Sequence, residues 1–132
     1  MNKFLICLTL LLLSTSALAG WTKVGRDRAE GASVYVDLTT VVRSGQMVTV
    51  WTVDDMDSLH ILNGLEFLSF KFKEEHNCEN GHKRLLQRAL MSGHMGGGET
   101  LFSTDEVGEW MSSQPGSIGE SKARVICGKP IK

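Results

Sequence analysis

One stretch near the end of the chain decides the fold: Ser117-Ile118-Gly119-Glu120-Ser121-Lys122-Ala123-Arg124-Val125-Ile126-Cys127. Ser117 precedes Glu120 by three residues, the spacing with which two side chains satisfy free backbone amides at the start of a helix. We therefore predict a helix that begins at Ser117 and ends at Cys127. Because successive helical residues are rotated by about 100°, one half of its surface is apolar. That half carries Ile118, Ala123, Val125, Ile126 and Cys127.

The chain before this helix consists of short apolar runs separated by turn residues, which is the pattern of an antiparallel sheet. The predicted strands lie at residues 21–24, 33–37, 47–53, 65–73, 82–91 and 99–103. Asn80-Gly81 is a hairpin signal between the fourth and fifth of them. The sequence thus predicts an α+β fold, in which about six antiparallel strands form a sheet and the C-terminal helix packs on one face of it.

Two of these strands predict which side chains are buried. Both faces of residues 47–53 are apolar, as expected of a central strand covered by the helix on one side and by loops on the other. We expect Trp51, in the middle of this strand, to be buried. Residues 65–73 alternate between apolar and polar side chains. Their predicted core face carries Leu68, Phe70 and Phe72, and their predicted solvent face carries Ser69, Lys71 and Lys73.

The N-terminus has the features of a cleavable export signal. Lys3 supplies positive charge, an apolar run follows, and Ala17-Leu18-Ala19 is a cleavage site of the A-x-A type. The apolar run is shorter than the roughly 20 residues of a membrane span. We therefore predict a signal peptide over residues 1–19, cleaved after Ala19, and a single mature domain over residues 20–132 without a membrane span. The expected location is the periplasm, the cell surface or the medium.

Composition excludes one class of partner and indicates a disulfide. Without residues 1–19 the chain has 13 Lys and Arg residues against 15 Asp and Glu residues, a formal charge of −2. Nucleic-acid binding requires a concentrated basic surface, so we expect no nucleic-acid partner. The mature chain keeps two cysteines, Cys78 and Cys127. In an exported domain they are expected to form one disulfide, which would pin the helix to the sheet.

Residues along nearly the whole mature chain resemble those of a known family. The resemblance is carried by Trp21-x-Lys-Val-Gly25, Tyr35-Val36-Asp37, Val50-Trp51 followed by Asp54, Ser69 and the strand to Cys78, Ser92-Gly-x-Met-Gly-x-Gly98, Trp110, Pro115-Gly-Ser117 and Cys127. In their order and spacing these residues resemble the bacterial surface-adhesin E family.

The resemblance implies a fold and a class of function. It implies a six-stranded antiparallel sheet whose concave face holds a C-terminal helix through a disulfide, which is the architecture that the residues themselves predict. The family's named member is an outer-surface lipoprotein that binds host matrix proteins and plasminogen, so the resemblance implies such partners here. This sequence differs from that member because no cysteine stands at the start of the mature chain to carry a lipid.

Two groups of residues have the chemistry of metal ligands. His76, Cys78 and His82 are ligand types of zinc and copper sites, and a hairpin would bring the two histidines together. We prefer the disulfide, which uses Cys78 and leaves two histidines beside a polar turn. His94 lies near two methionines, which are soft ligands, but a glycine-rich loop with a buried methionine is the plainer interpretation. We predict no metal and no cofactor, with His76, His82 and His94 as the weaker candidates.

The motifs of the common catalytic sites are not matched. The glycines of residues 92–98 are followed by no Gly-Lys-Ser or Gly-Lys-Thr, so we expect a tight strand connection rather than a phosphate site. Ser92 and His94 lie close together in sequence but lack an evident orienting acid. Three aspartates without a calcium-loop pattern are expected in a solvated turn: Asp54, Asp55 and Asp57. We predict a non-enzymatic protein.

Two classes of function remain. The first is an adhesin-like binding protein for host extracellular matrix proteins or plasminogen, and the second is a periplasmic structural or stress-related domain with no host ligand. For the first, Lys129 and Lys132 in the tail are candidate contacts, because a C-terminal lysine presents the ammonium and carboxylate that lysine-binding kringle pockets receive. An open sheet also leaves two unpaired edges, so we expect weak homodimerisation through an edge.

Overall fold

A computed structural model describes residues 20–128 and shows a six-stranded sheet followed by a helix. The strands are β1 (Trp21–Asp27), β2 (Ala32–Ser44), β3 (Met47–Leu62), β4 (Leu65–Asn77), β5 (His82–Met91) and β6 (Thr100–Thr104), and the helix is α1 (Ile118–Cys127). Each strand pairs antiparallel with the next, so the order in the sheet is the order in the chain. The predicted α+β fold is confirmed, although β1 to β4 continue well beyond the apolar runs that predicted them.

The turn between β4 and β5 forms where the sequence predicts it. Gly81 has a φ of 76°, a left-handed conformation that suits glycine. The side-chain oxygen of Asn77 accepts hydrogen bonds from the backbone N–H groups of Glu79 and Asn80, at 3.0 and 3.4 Å. This Asx-type geometry fixes the hairpin and places Cys78 immediately after the end of β4.

Both ends of α1 are set by capping residues. The Ser117 hydroxyl accepts a hydrogen bond from the Glu120 backbone N–H at 3.3 Å, as predicted. The Glu120 carboxylate accepts from the Gly116 backbone N–H at 3.4 Å, one residue earlier than in the usual reciprocal cap. Gly128 ends the helix with a φ of 70° and donates its N–H to the Arg124 carbonyl.

The helix packs on the part of the sheet formed by β1, β2 and β3. The shared core contains Val36, Val48, Val50, Cys78, Ile126 and Cys127. Gly25 allows the start of the helix to approach β1, because a Cβ there would lie 2.9 Å from the Ile118 Cδ1 atom. At the other end, Arg43 Nη2 donates to the Ile126 carbonyl at 2.9 Å. We call this covered side of the sheet the helix face and the opposite side the outer face.

Cys78 and Cys127 form the predicted disulfide. Their Cα atoms are 5.6 Å apart, and the two residues are 49 positions apart in sequence. Both are buried. The bond therefore ties the last residue of α1 to the end of β4 and closes most of the second half of the domain into one loop.

Several burial predictions are wrong, and each error has a physical cause. On α1, Val125 was predicted on the apolar half but is 38% exposed, because the helix is rotated so that Lys122, to which the sequence assigned no face, is buried against the sheet. On β4, Ser69 is fully buried under a loop of the outer face. The three apolar side chains predicted in the core of β4 are only half-buried, because the helix does not extend over that part of the sheet: Leu68, Phe70 and Phe72.

Trp51 is half-buried, not buried as predicted. Its neighbours in β3, Val50 and Thr52, point to the helix face and are covered there. Trp51 lies on the outer face, where residues 92–98 fold over Val53 but not over the indole. The predicted shield by loops on the second side of β3 therefore exists, but it ends one position short of Trp51.

Candidate functional site

A group of charged side chains lies between α1 and the sheet. We call Glu74, His76, Lys83 and Lys122 the charged cluster. Glu74 is fully buried on β4, opposite Val50 of β3. One carboxylate oxygen accepts from the Lys122 ammonium at 2.7 Å and from the Thr52 hydroxyl. The other lies 3.0 Å from His76 Nε2 and 3.5 Å from Lys83 Nζ.

These contacts decide the ionisation of Glu74. Burial alone would raise the pKa of its carboxyl group, because a charge is poorly solvated inside a protein. The ammonium groups of Lys122 and Lys83, with the hydrogen bond from His76, outweigh burial and hold the pKa of Glu74 well below its ordinary value. The charged cluster therefore holds a carboxylate at neutral pH, with both oxygens engaged.

The two lysines of the charged cluster respond differently. Burial lowers the pKa of both, but Glu74 and Asp54 more than compensate at Lys122, whose pKa is raised. At Lys83 burial prevails, helped by the nearby Lys122 ammonium, and the pKa is lowered. The side chain of Lys122 is only 7% exposed and that of Lys83 is 19% exposed. The charged cluster therefore links the helix to the sheet through largely buried ion pairs.

Asp54 lies beside the charged cluster and is less well satisfied. Within residues 20–128 its buried Oδ1 atom has no hydrogen-bond partner. Burial raises the pKa of Asp54, and the negative charge of Glu74 raises it further, although Lys122 and Lys83 oppose the change. Asp54 is thus an incompletely hydrogen-bonded carboxylate on the helix face.

The histidines and cysteine considered as metal ligands do not converge. His76 pairs with Lys83 across β4 and β5, and His82 pairs with the neighbouring Asn77, so the two histidines point to opposite faces. Cys78 is in the disulfide, and His76 contacts Glu74. Across residues 20–128, no three side chains of His, Cys, Asp or Glu are placed to hold one ion.

Residues 92–98, which we call the glycine loop, fold onto the outer face. Asp55 of β3 accepts two hydrogen bonds from the loop, from His94 Nδ1 at 3.0 Å and from the Met95 backbone N–H at 2.8 Å. The Ser69 hydroxyl donates to the Gly93 carbonyl at 2.7 Å and accepts from the Gly96 N–H at 2.9 Å. The predicted tight connection between β5 and β6 therefore also covers the sheet.

The glycine loop has neither a phosphate cradle nor a catalytic triad. Its amides at Met95, Gly96 and Gly97 donate to groups of the protein itself. His94 does have an orienting acid, Asp55, which sequence spacing could not reveal because it lies 39 residues away. However, Ser92 and His94 share no hydrogen bond, and the Ser92 hydroxyl accepts instead from the Glu99 N–H at 2.7 Å.

The three adjacent aspartate positions do not form a calcium site or a turn. All three lie inside β3 and diverge. Asp54 points to the helix face, Asp55 holds the glycine loop, and Asp57 forms an ion pair with Arg26 of β1. The expectation of a solvated turn was wrong, because β3 continues to Leu62.

An open apolar groove lies beside the helix, over the β4 to β6 part of the helix face. We call it the helix-side groove; its volume is about 420 Å³. Its lining is Leu62, Asn63, Leu65, Phe70, Phe72, Leu85, Arg88, Ala89, Leu90 and Phe102. Phe70 and Phe72 stack with ring centroids 5.6 Å apart. Phe102 is 55% exposed and Leu62 is 47% exposed, so the groove is accessible from solvent.

The sequence does not reveal this groove, for an identifiable reason. The alternation in residues 65–73 predicted an apolar face correctly, but it could not reveal that the helix would cover β1 to β3 and leave that face open. The tail residues Lys129 and Lys132, and the predicted signal peptide, lie outside the described residues.

These features define a class of protein: a small antiparallel β domain, with a helix locked to one half of one face and an apolar groove on the other half. A model of the family Surface-adhesin protein E matches residues 21–128, and the chain belongs to that family. It is a surface-adhesin-like protein. No helix within residues 20–128 has the length and apolar character needed to cross a membrane.

Solved structures of protein E from Haemophilus influenzae share this fold. One crystal form aligns with a TM-score of 0.65 and 17% sequence identity, over 83% of this chain and 88% of that chain. Protein E from the non-typeable bacterium aligns with a TM-score of 0.65 and 16% identity, over 86% of this chain and 79% of that one. At such low identity the similarity establishes the fold alone. No curated protein sequence matches this chain significantly.

Proposed function

We propose that the mature protein is an exported, non-enzymatic adhesin that holds a macromolecular partner in its helix-side groove. The observation that carries this proposal is the exposure of Phe102 and Leu62 at the rim of a groove built from apolar and aromatic side chains. Exposed apolar patches of this kind are typical of interaction sites, and buried aromatic anchors supply much of the binding energy at interfaces.

The proposed partners are host extracellular matrix proteins or plasminogen. Membership of a surface-adhesin family supports a partner outside the cell, and the export signal over residues 1–19 supports delivery to the periplasm or the cell surface. The chain is proposed to act without a cofactor. Its exposed β6 edge, with Leu101 and Phe102, is the proposed contact for a weak homodimer.

We expect Phe102→Asp to raise the dissociation constant for matrix proteins at least about tenfold, because a charge would enter the apolar groove. Binding of purified protein to immobilised basement-membrane extract and to plasminogen, measured by surface plasmon resonance, checks this. Val42→Asp is the matched control, since Val42 is 64% exposed on β2, away from the groove. Equal binding by wild type and Phe102→Asp, with unchanged thermal unfolding, would contradict the groove as the binding site.

The C-terminal lysine gives a second prediction for plasminogen. If Lys132 enters a lysine-binding kringle pocket and Lys129 assists it, carboxypeptidase B treatment or deletion of Lys132 should abolish plasminogen capture and leave the fold unchanged. The same treatment should leave matrix binding through the groove intact. Plasminogen capture that survives loss of Lys132, or no capture before treatment, would reject this mechanism in favour of an ordinary solvated tail.

A further inference from the structure

A second depression lies on the outer face, separate in position from the helix-side groove. This outer-face cleft has a volume of about 300 Å³. Its lining is Trp51, Gln87, Arg88, Ala89, Ser103, Thr104 and Asp105. Strand pairing places Trp51, Gln87 and Ser103 on the same face of the sheet. Trp51 pairs with Lys73, and Lys73 pairs with Gln87. Two residues further along β5, Ala89 faces the same side as Gln87 and pairs with Ser103. The volume is near the lower end of the range for small-ligand sites.

Trp51 gives the outer-face cleft a flat apolar wall. The indole belongs to a central strand yet remains half-buried, and the Lys71 ammonium lies 4.9 Å from its ring centroid. This cation–π contact, within the usual distance of about 6 Å, favours one position of the ring. The Trp51 indole is thus partly ordered before any ligand binds, which reduces the entropy lost on binding.

The polar side chains opposite the indole offer a varied set of hydrogen-bonding groups. Gln87 provides an amide that donates and accepts, Ser103 a hydroxyl that does both, and Asp105 a carboxylate that only accepts. All three residues are exposed and available to a ligand. Arg88 pairs with Phe72, so its side chain points to the helix face and only borders the cleft. The charges nearest the indole are the Asp105 carboxylate and the Lys71 ammonium, which are opposite, so the cleft favours a neutral ligand over an anion or a cation.

We propose that the outer-face cleft binds a pyranose unit of a neutral glycan. A sugar ring has one apolar C–H face, which suits the Trp51 indole, and a rim of hydroxyls that both donate and accept hydrogen bonds. Those hydroxyls match the combination of Gln87, Ser103 and Asp105. This site is distinct from the groove of the proposed function, although Arg88 and Ala89 border both.

The test uses three neutral probes: methyl β-galactoside, methyl α-mannoside and an N-acetylglucosamine trimer. Saturation-transfer NMR on the mature protein should detect at least one of them, and isothermal titration should then give its dissociation constant. We expect Trp51→Ala to weaken that binding at least tenfold. Gln87→Ala, at an exposed position that folding does not require, should weaken it several-fold.

Trp110→Ala is the control for the loss of a tryptophan. Trp110 lies outside the cleft, and the Arg84 guanidinium carbon is 4.5 Å from the centroid of the Trp110 ring. The Trp110→Ala variant should therefore bind the sugar as the wild type does. The proposal is overturned if the wild type binds none of the three probes, or if both Trp51→Ala and Gln87→Ala bind as the wild type does. Neither result bears on the Phe102→Asp experiment, so the two proposals fail separately.

Discussion

Replacing Cys127 with serine is expected to lower the free energy of unfolding by about 4 kcal/mol, a large share of the roughly 5–15 kcal/mol of a small domain. The disulfide joins residues 49 positions apart, and a cross-link of that span restricts the unfolded chain strongly. In the folded protein the same bond ties the last residue of α1 to β4. Loss of the disulfide should therefore also weaken the packing of α1 on the sheet.

Urea unfolding followed by circular dichroism measures this effect. Cys78→Ser and the double variant should give the same free energy as Cys127→Ser, because each removes the same bond. Reduction of the wild type should give a similar value. Two reactive thiols in the native, unreduced protein, or a loss below about 1 kcal/mol, would show that the disulfide does not hold the helix.

Lys122→Met is expected to cost about 3–5 kcal/mol, the range for removing one partner of a buried ion pair. Glu74 is fully buried, and its 2.7 Å contact with the Lys122 ammonium is the strongest of its attractions. Without that ammonium the carboxylate would remain buried with weaker compensation from Lys83 and His76. Denaturant melting at pH 7 checks the prediction.

A double variant separates the loss of the pair from the loss of packing. Lys122→Met combined with Glu74→Leu removes both charges and keeps apolar volume, so it should recover much of the stability lost by Lys122→Met alone. Failure of the second change to restore stability would show that the charged cluster contributes through its hydrogen-bond network, including Thr52 and His76, rather than through charge balance.

The pH dependence of stability in acid should show the contribution of Glu74. The pKa of Glu74 is lower in the folded protein than in the unfolded chain. The Glu74 carboxylate therefore contributes fully to the free energy of unfolding above its unfolded-state pKa, and this contribution is lost as the pH falls through its folded-state pKa. Asp54 acts in the opposite direction: its pKa is raised by burial, so protonating it as the pH falls from neutral is favourable to the folded state.

The architecture was predictable because its signals are local. Period-two runs predicted the strands, Ser117 and Glu120 predicted the start of α1, and the cysteine count predicted the disulfide. Strand length was less predictable, since β3 continues through three aspartates that no propensity favours in a strand. Two of them make tertiary contacts there, Asp57 with Arg26 and Asp55 with the glycine loop.

The interior of the helix–sheet interface was not predictable in the same way. Glu74, His76 and Lys122 have side chains that usually face solvent, and only their mutual contacts permit burial. The pairing of His94 with Asp55 likewise depends on folding of the glycine loop over β3. The helix-side groove exists because a ten-residue helix covers only part of one face of the sheet. The extent of that coverage depends on the packing of the whole domain and cannot be predicted from any single segment.

The proposed function requires the protein to be exposed outside the cell, and labelling of intact cells tests that requirement most directly. Antibody against the mature domain, or protease added to intact bacteria, should reach the protein while a periplasmic marker stays protected. Fractionation should find it in the outer membrane or the medium. Protein confined to the periplasm, and reached only after the outer membrane is permeabilised, would contradict an adhesin and favour a periplasmic structural or stress-related domain.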